Sequence, residues 1–158
     1  MRKAFALFSI LFSPAFIGSS EAKNSNRTLS FLQSESPIDW RYWLPAIRSA
    51  ESSNYIWAKS YLGAHHGRGL YQISEIALIE YKKYNPEMSW LTPDSLYNSN
   101  VAEAIALWLL KKHERDWRPY VKGNIVPWVL SCYNQGARYT LENGVSDKYV
   151  DLVNKGLQ

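Results

Sequence analysis

The sequence predicts a mainly α-helical domain with long connecting loops and little or no sheet. Three observations carry this. Apolar residues recur at spacings of three and four in several separate segments, helix-capping residues stand at the starts of those segments, and no segment alternates with the period of two that a strand requires.

The first element is expected in "SPIDWRYWLPAIRSAES". Ser36 stands as N-cap, Pro37 occupies the first helical position and Asp39 faces the helix dipole. Trp40, Trp43 or Leu44, Ile47 and Glu51 then recur on one stripe, and Pro45 is a potential kink that displaces the helix start. A second helix, beginning near Gly69 in "GLYQISEIALIEYKKY", aligns Leu70, Ile73, Ala77 and Tyr81. The third, "SNVAEAIALWLLKKHERDW", follows Asn98 or Ser99 as cap and carries Val101, Ala104, Ile105, Trp108, Leu109 and Lys112 on its expected inner stripe. "NIVPWVLSCYNQG" has Asn124 as cap, Pro127 in the first turn and Gly136 after its end. A last short helix is expected from Ser146 to Lys155.

The chain has 158 residues, and its start is unlike the rest. Arg2 and Lys3 precede an apolar run, Ala4 to Ile17, and Ser20 and Ala22 supply small residues two apart. That is the pattern of a signal peptide over residues 1–22, with a run too short for a stable membrane anchor. No cysteine follows the run, so lipid attachment there is not expected. Residues 23–35 are polar and aperiodic, as in a flexible leader, and residues 36–158 form the folded domain. The reading is an exported protein, periplasmic or secreted, monomeric and without a membrane anchor.

Loss of Arg2, Lys3 and Glu21 removes two positive charges and one negative charge from a formal net charge of +4. The mild positive balance that remains suits an anionic polymer. Nucleic-acid binding would call for a clustered basic face, and Lys and Arg are scattered here. The single cysteine, Cys132, cannot form an intrachain disulfide and lies among apolar neighbours, as an inert buried thiol does. Seven Trp and eleven Tyr are many for this length. Such side chains fill cores, and their faces and hydroxyls also line sugar-binding grooves.

Glu51 poses the functional question. It lies four residues after Ile47 and eleven after Trp40, almost three helical turns, so a carboxyl group sits on an apolar stripe. Burial there disfavours the charged form and raises the pKa. A carboxylic acid still protonated near neutral pH can donate to a leaving oxygen. A helix-end glutamate reaching solvent is the plainer alternative, because glutamate is rarely buried.

The company Glu51 keeps favours the first alternative. "ES" at 51–52, Ser60, "GA" at 63–64, "GLYQI" at 69–73, Asn100 at the head of a long apolar helix and "CYNQG" at 132–136 follow one another in order. This constellation, spread over residues 38–145, resembles the catalytic domain of the soluble lytic transglycosylases, which have a lysozyme-like helical fold. Members typically show Glu-Ser, a Ser-x-x-Gly-Ala loop, Gly-Leu-Met-Gln and later Ala-Tyr-Asn-x-Gly. The resemblance implies that Glu51 is the catalytic acid and base and that Ser60 contacts substrate near the cleaved bond. Gln72 would line the groove, with Tyr71 in place of the usual Met. Tyr133 would bring its hydroxyl close to the acid, and Asn134 would be its structural or substrate-contacting neighbour. A plain core role for Tyr71 and a helix-end cap at Asn134 remain open.

The implied reaction cleaves the β-1,4 bond between N-acetylmuramic acid and N-acetylglucosamine in peptidoglycan and leaves a 1,6-anhydro sugar, with no cofactor. Goose-type lysozymes share the Gly-Leu-Met-Gln neighbourhood but carry an Asp two residues after the Gln, where this chain has Ser74. A hydrolase commonly needs a second carboxylate, which would have to come from Glu75, Glu80 or a distant segment. A peptidoglycan-binding assembly module with weak or lost catalysis is the third alternative. Small exported members of the family often open the wall locally for a secretion or conjugation apparatus.

Two departures stand out. "HHGR" at 65–68 lengthens the loop before Gly69, and an aromatic expected three residues after the acid comes one later, at Tyr55. Adjacent His65 and His66 point apart on an extended segment, and His113 is the only other histidine, so no metal site is expected.

Overall fold

The chain enters its first helix through a 3-10 turn, Trp40–Tyr42, which Asp39 caps by accepting the Arg41 N–H at 3.1 Å. Helix α1, Leu44–Ser52, begins after it with Pro45 in its first turn. The start therefore lies later than the Ser36 and Pro37 signals suggest. A proline inside a helix loses a hydrogen bond and clashes with the preceding turn, whereas in the first turn its missing N–H costs nothing. Ser36 and Pro37 lie outside the residues described by the structure, a computed structural model that covers residues 38–60 and 66–158. The signal-peptide and leader expectations fall outside it too. Trp40, Leu44 and Ile47 are buried as their spacing requires, and the Trp40 indole donates to Glu114.

Helix α1 stops at two left-handed residues, Ser53 (φ 51°) and Asn54 (φ 65°). The Asn54 side chain accepts from Arg48 Nε at 2.7 Å, which fixes the reversal. Beyond it lies the main departure from expectation. Residues 69–72 are not helical. Two short antiparallel strands, β1 (Gly67–Arg68) and β2 (Ile73–Ser74), pair Gly67 with Ser74 and Arg68 with Ile73, and Lys59 bridges to Arg68. The turn between them carries Gly69 and Gln72 in left-handed conformation. Leu70, Tyr71 and Ile73 still reach the core, from a hairpin instead of a helix.

Helix α2, Glu75–Tyr84, starts only where Ser74 accepts the Ala77 N–H at 3.2 Å. The spacing of Leu70 and Ile73 mimics a helical stripe because both residues face one core. Local turn chemistry decides the backbone.

Two 3-10 turns, Pro86–Met88 and Pro93–Tyr97, lead to α3, Ser99–Trp117. Asn98 caps α3 through its side-chain oxygen, which accepts from Asn100 at 3.0 Å and Val101 at 3.3 Å. The buried face of α3 is Ala102, Ile105, Ala106, Leu109, Leu110 and His113, turned slightly from the expected stripe. Ala104 is exposed, and Val101, Trp108 and Lys112 lie at the margin. The small residues Ala102 and Ala106 let neighbouring elements close in, and α3 packs against α1, α2 and α4. At the margin, Trp108 meets Tyr81 edge-on at 5.3 Å, and Lys112 pairs with Asp116 and Glu80.

Helix α4, Val126–Gln135, shows the expected start: Asn124 accepts the Val126 N–H at 3.0 Å, and Pro127 sits in the first turn. Cys132 is free and buried, and burial pushes its thiol pKa up. Gly136 (φ 87°) ends α4 but does not lead into a loop. A further helix, α5 (Ala137–Asn143), starts at once, and α6 (Asp147–Lys155) follows from Ser146. Helix α6 packs on α1 and α4 and buries Tyr149 and Val153. The described residues are thus mainly α, with six α-helices and one two-stranded sheet. Among them no helix is long and apolar enough to cross a membrane.

Candidate functional site

Glu51 occupies the last turn of α1, on the face that α6 covers. The residue is partly open to solvent while its carboxyl group is largely enclosed. The Tyr149 hydroxyl donates to Glu51 Oε1 at 2.6 Å. Asn134, exposed on α4, adds a second side-chain hydrogen bond. Burial lifts the Glu51 pKa to about 7, against the two hydrogen bonds, which favour the carboxylate. The group therefore stands near half-protonation at neutral pH. Replacement of Tyr149 by Phe removes a donor to the charged form, so Tyr149→Phe is expected to move the Glu51 titration to higher pH. Carboxyl-carbon NMR of the parent and variant checks this.

Tyr149 is the functional side chain that the sequence reading missed. Its signal is modest: Tyr149 and Val153 stand four apart on one face of a short helix. Nothing local says that this face meets α1.

Tyr133 is near the acid but its hydroxyl bonds elsewhere. Its hydroxyl donates to the Tyr71 carbonyl at 2.8 Å, so the hydroxyl on the acid is that of Tyr149. Tyr133 nonetheless lies within the field of Glu51, and burial followed by the Glu51 charge raises its pKa well above normal. Tyr133→Phe leaves the Tyr71 carbonyl without this donor and is expected to cost about 1–3 kcal/mol. Urea denaturation of the variant measures that cost.

Tyr71 is buried in the core and also joins the polar chain. Its hydroxyl donates to Glu103 at 3.2 Å, and burial together with the Glu103 charge pushes its pKa up to about 12. The next residue, Gln72, folds back on its own turn, donating through Nε2 to the Gly69 carbonyl at 2.9 Å. Ser60 is similarly engaged. Its hydroxyl oxygen accepts the Gly67 N–H at 3.0 Å, and its own N–H donates to the Gly67 carbonyl at 3.0 Å. Ser60 and Gln72 thus brace the hairpin, while Glu51, Asn134 and Tyr149 gather at the acid. Tyr133 and Tyr71 link the two groups.

Glu75 and Glu80, the named candidates for a second acid, are committed elsewhere. Glu75 pairs with Arg68 at 2.7 Å, Arg68 also holds Asp94 at 3.0 Å, and Glu80 pairs with Lys112 at 3.3 Å. Burial, not a neighbouring carboxylate, raises the Glu51 pKa. Among the described residues no three His, Cys, Asp or Glu side chains gather as metal ligands would. His66 Nδ1 lies 3.3 Å from the Ser60 carbonyl, and His65 is outside the described residues. His113 is buried in α3, where burial lowers its pKa to about 4. Tyr55 is exposed.

An apolar cavity of about 210 Å³ opens between α2 and α3, lined by Tyr81, Met88, Trp90, Leu91, Val101 and Ile105 among others. It includes none of the residues around Glu51. The cavity walls hold no carboxylate, histidine, lysine or arginine. No family model, curated protein or solved structure matches this chain.

Proposed function

We propose that the protein is an exported lytic transglycosylase with a lysozyme-like fold, cleaving the MurNAc-β-1,4-GlcNAc bond of peptidoglycan. The observation that carries the reading is the enclosed Glu51 carboxyl, with a pKa of about 7 and no second acid acting on it. A single group near half-protonation can both give and take a proton at neutral pH.

In the proposed reaction Glu51 donates its proton to the glycosidic oxygen as the C1–O bond breaks. The resulting carboxylate, held by Tyr149 and Asn134, then takes the proton of the muramic C6 hydroxyl. The C6 oxygen attacks C1 and closes the 1,6-anhydro ring, so Glu51 ends protonated and no water is consumed. The donors on Glu51 hold the pKa from rising further, which keeps the second step accessible. Tyr71 and Tyr133 fix the hairpin beside the acid, and Ser60 and Gln72 keep its shape.

A hydrolase of the same superfamily would use a second carboxylate to hold water. The engagement of Glu75 with Arg68 and of Glu80 with Lys112 disfavours it. A wall-binding module without catalysis has no use for an acid raised to about 7. Local opening of the wall for a secretion or conjugation apparatus is the purpose proposed with the transglycosylase reading.

Digestion of purified peptidoglycan, with mass spectrometry of the released sugars, tests the reading. Anhydro ends are expected. Reducing ends would replace it with the hydrolase, and intact glycan would leave only binding.

A further inference from the structure

Trp57 is anomalous for a loop residue. It is 62% exposed, yet its ring is held, with its centroid 5.2 Å from that of Tyr97 and the planes 40° apart. Single exposed aromatics are ordinary on protein surfaces; Trp57 is backed by a second ring, as Tyr42, Tyr84 and Tyr120 also are, and its segment is in addition fixed at both ends.

The Tyr55 N–H donates to the Ser52 carbonyl at 2.9 Å and the Ala58 N–H to the Tyr55 carbonyl at 3.1 Å, tying the segment to the end of α1. The Gly69 N–H donates to the Ala58 carbonyl at 2.9 Å, tying it to the hairpin. Arg68, gripping both Glu75 and Asp94, fixes the hairpin beside the turn that presents Tyr97. From Glu51 the contacts run through Tyr133 to the Tyr71 carbonyl, then along Gln72 and Gly69 to Ala58. Trp57 is next in the chain. Six residues of backbone limit its Cα to roughly 20 Å from that of Glu51, within reach of one short oligosaccharide.

We infer that Trp57, backed by Tyr97, is a stacking platform for a sugar ring of the glycan strand cleaved at Glu51. This inference rests on the proposed function and adds a subsite to it. The electron-rich face of an indole attracts the C–H-bearing face of a pyranose, while the hydroxyls around the ring edge stay in water. A half-open ring pair offers one free face of this kind. The platform tightens binding of strands long enough to lie over both Glu51 and Trp57.

The test uses the full protein carrying Glu51→Gln, so that sugars bind without being cut, and chito-oligosaccharides of three and six units as probes. Calorimetry is expected to show that adding Trp57→Ala weakens hexamer binding roughly tenfold and trimer binding by no more than that. Trp57→Phe should restore most of the loss. The indole N–H resonance of Trp57, assigned by its absence in Trp57→Phe, should shift with hexamer. Equal hexamer affinity with and without Trp57→Ala, or an indole signal that ignores hexamer, overturns the platform and leaves the proposed function standing. Failure of the Glu51→Gln protein to bind either oligomer overturns the glycan reading itself and the platform with it.

Discussion

Glu51→Gln is expected to reduce glycan cleavage by at least about a thousandfold while making the folded protein more stable at neutral pH. The two effects share one cause. The folded protein holds the Glu51 proton up to a pH of about 7, whereas the ordinary value is 4.5. Below the lower value the group is protonated whether the chain is folded or not. Between the two, the folded state keeps a proton that the unfolded chain has released, so stability falls as pH rises. Above the folded value the loss is complete and amounts to at most about 3 kcal/mol, less whatever water screens at the partly open side chain. Glutamine has no such transition. Urea denaturation of parent and variant at pH 4.5 and 8 should therefore converge at the acid end and diverge in favour of the variant at the alkaline end. His113 works in the opposite direction, because its lowered pKa favours the folded state as pH rises through its titration. It is present in both proteins and cancels from the difference. Parallel stability curves would mean that Glu51 is not held in its neutral form. Cleavage retained by the variant would remove it from the chemistry.

Much of this arrangement is legible in the chain before any coordinates. Asn98, Asn124, Pro127 and Ser146 mark helix starts because capping is decided within a few residues. The position of Glu51 among apolar neighbours follows from helical spacing alone. What stays hidden depends on tertiary placement. Leu70 and Ile73 share a face in a helix and also in this hairpin, so spacing cannot choose between them; the left-handed Gly69 and Gln72 do. Tyr149 lies 98 residues from Glu51, and only the packing of α6 on α1 and α4 brings them together. Tyr133 illustrates the limit of motif matching. Its position beside the acid follows from the motif, but the partner of its hydroxyl depends on where the Tyr71 carbonyl lies.

Gly69→Ala is expected to cost about 3–5 kcal/mol, because the added methyl group runs into backbone. Gly69 has φ +72°, and a Cβ placed there would lie 2.0 Å from the Leu96 carbonyl oxygen. That contact is with backbone on both sides, so no side-chain rotation relieves it. The hairpin must withdraw from the turn that holds Tyr97, or the turn must move. Gly123→Ala is the matched control. It has φ +84° with nothing within 4 Å, so it carries only the left-handed strain of about 1–2 kcal/mol. The difference between the two urea midpoints, at equal slopes, isolates the clash. The consequence reaches the acid, because the same hairpin supplies the Tyr71 carbonyl to Tyr133 and the Gly69 N–H to Ala58. Gly69→Ala should accordingly lose glycan cleavage even at temperatures where it remains folded, while Gly123→Ala keeps it. If the two variants are equally stable, the hairpin does not rest on the Leu96 carbonyl, and the frame that holds the Tyr71 carbonyl to Tyr133 is built some other way.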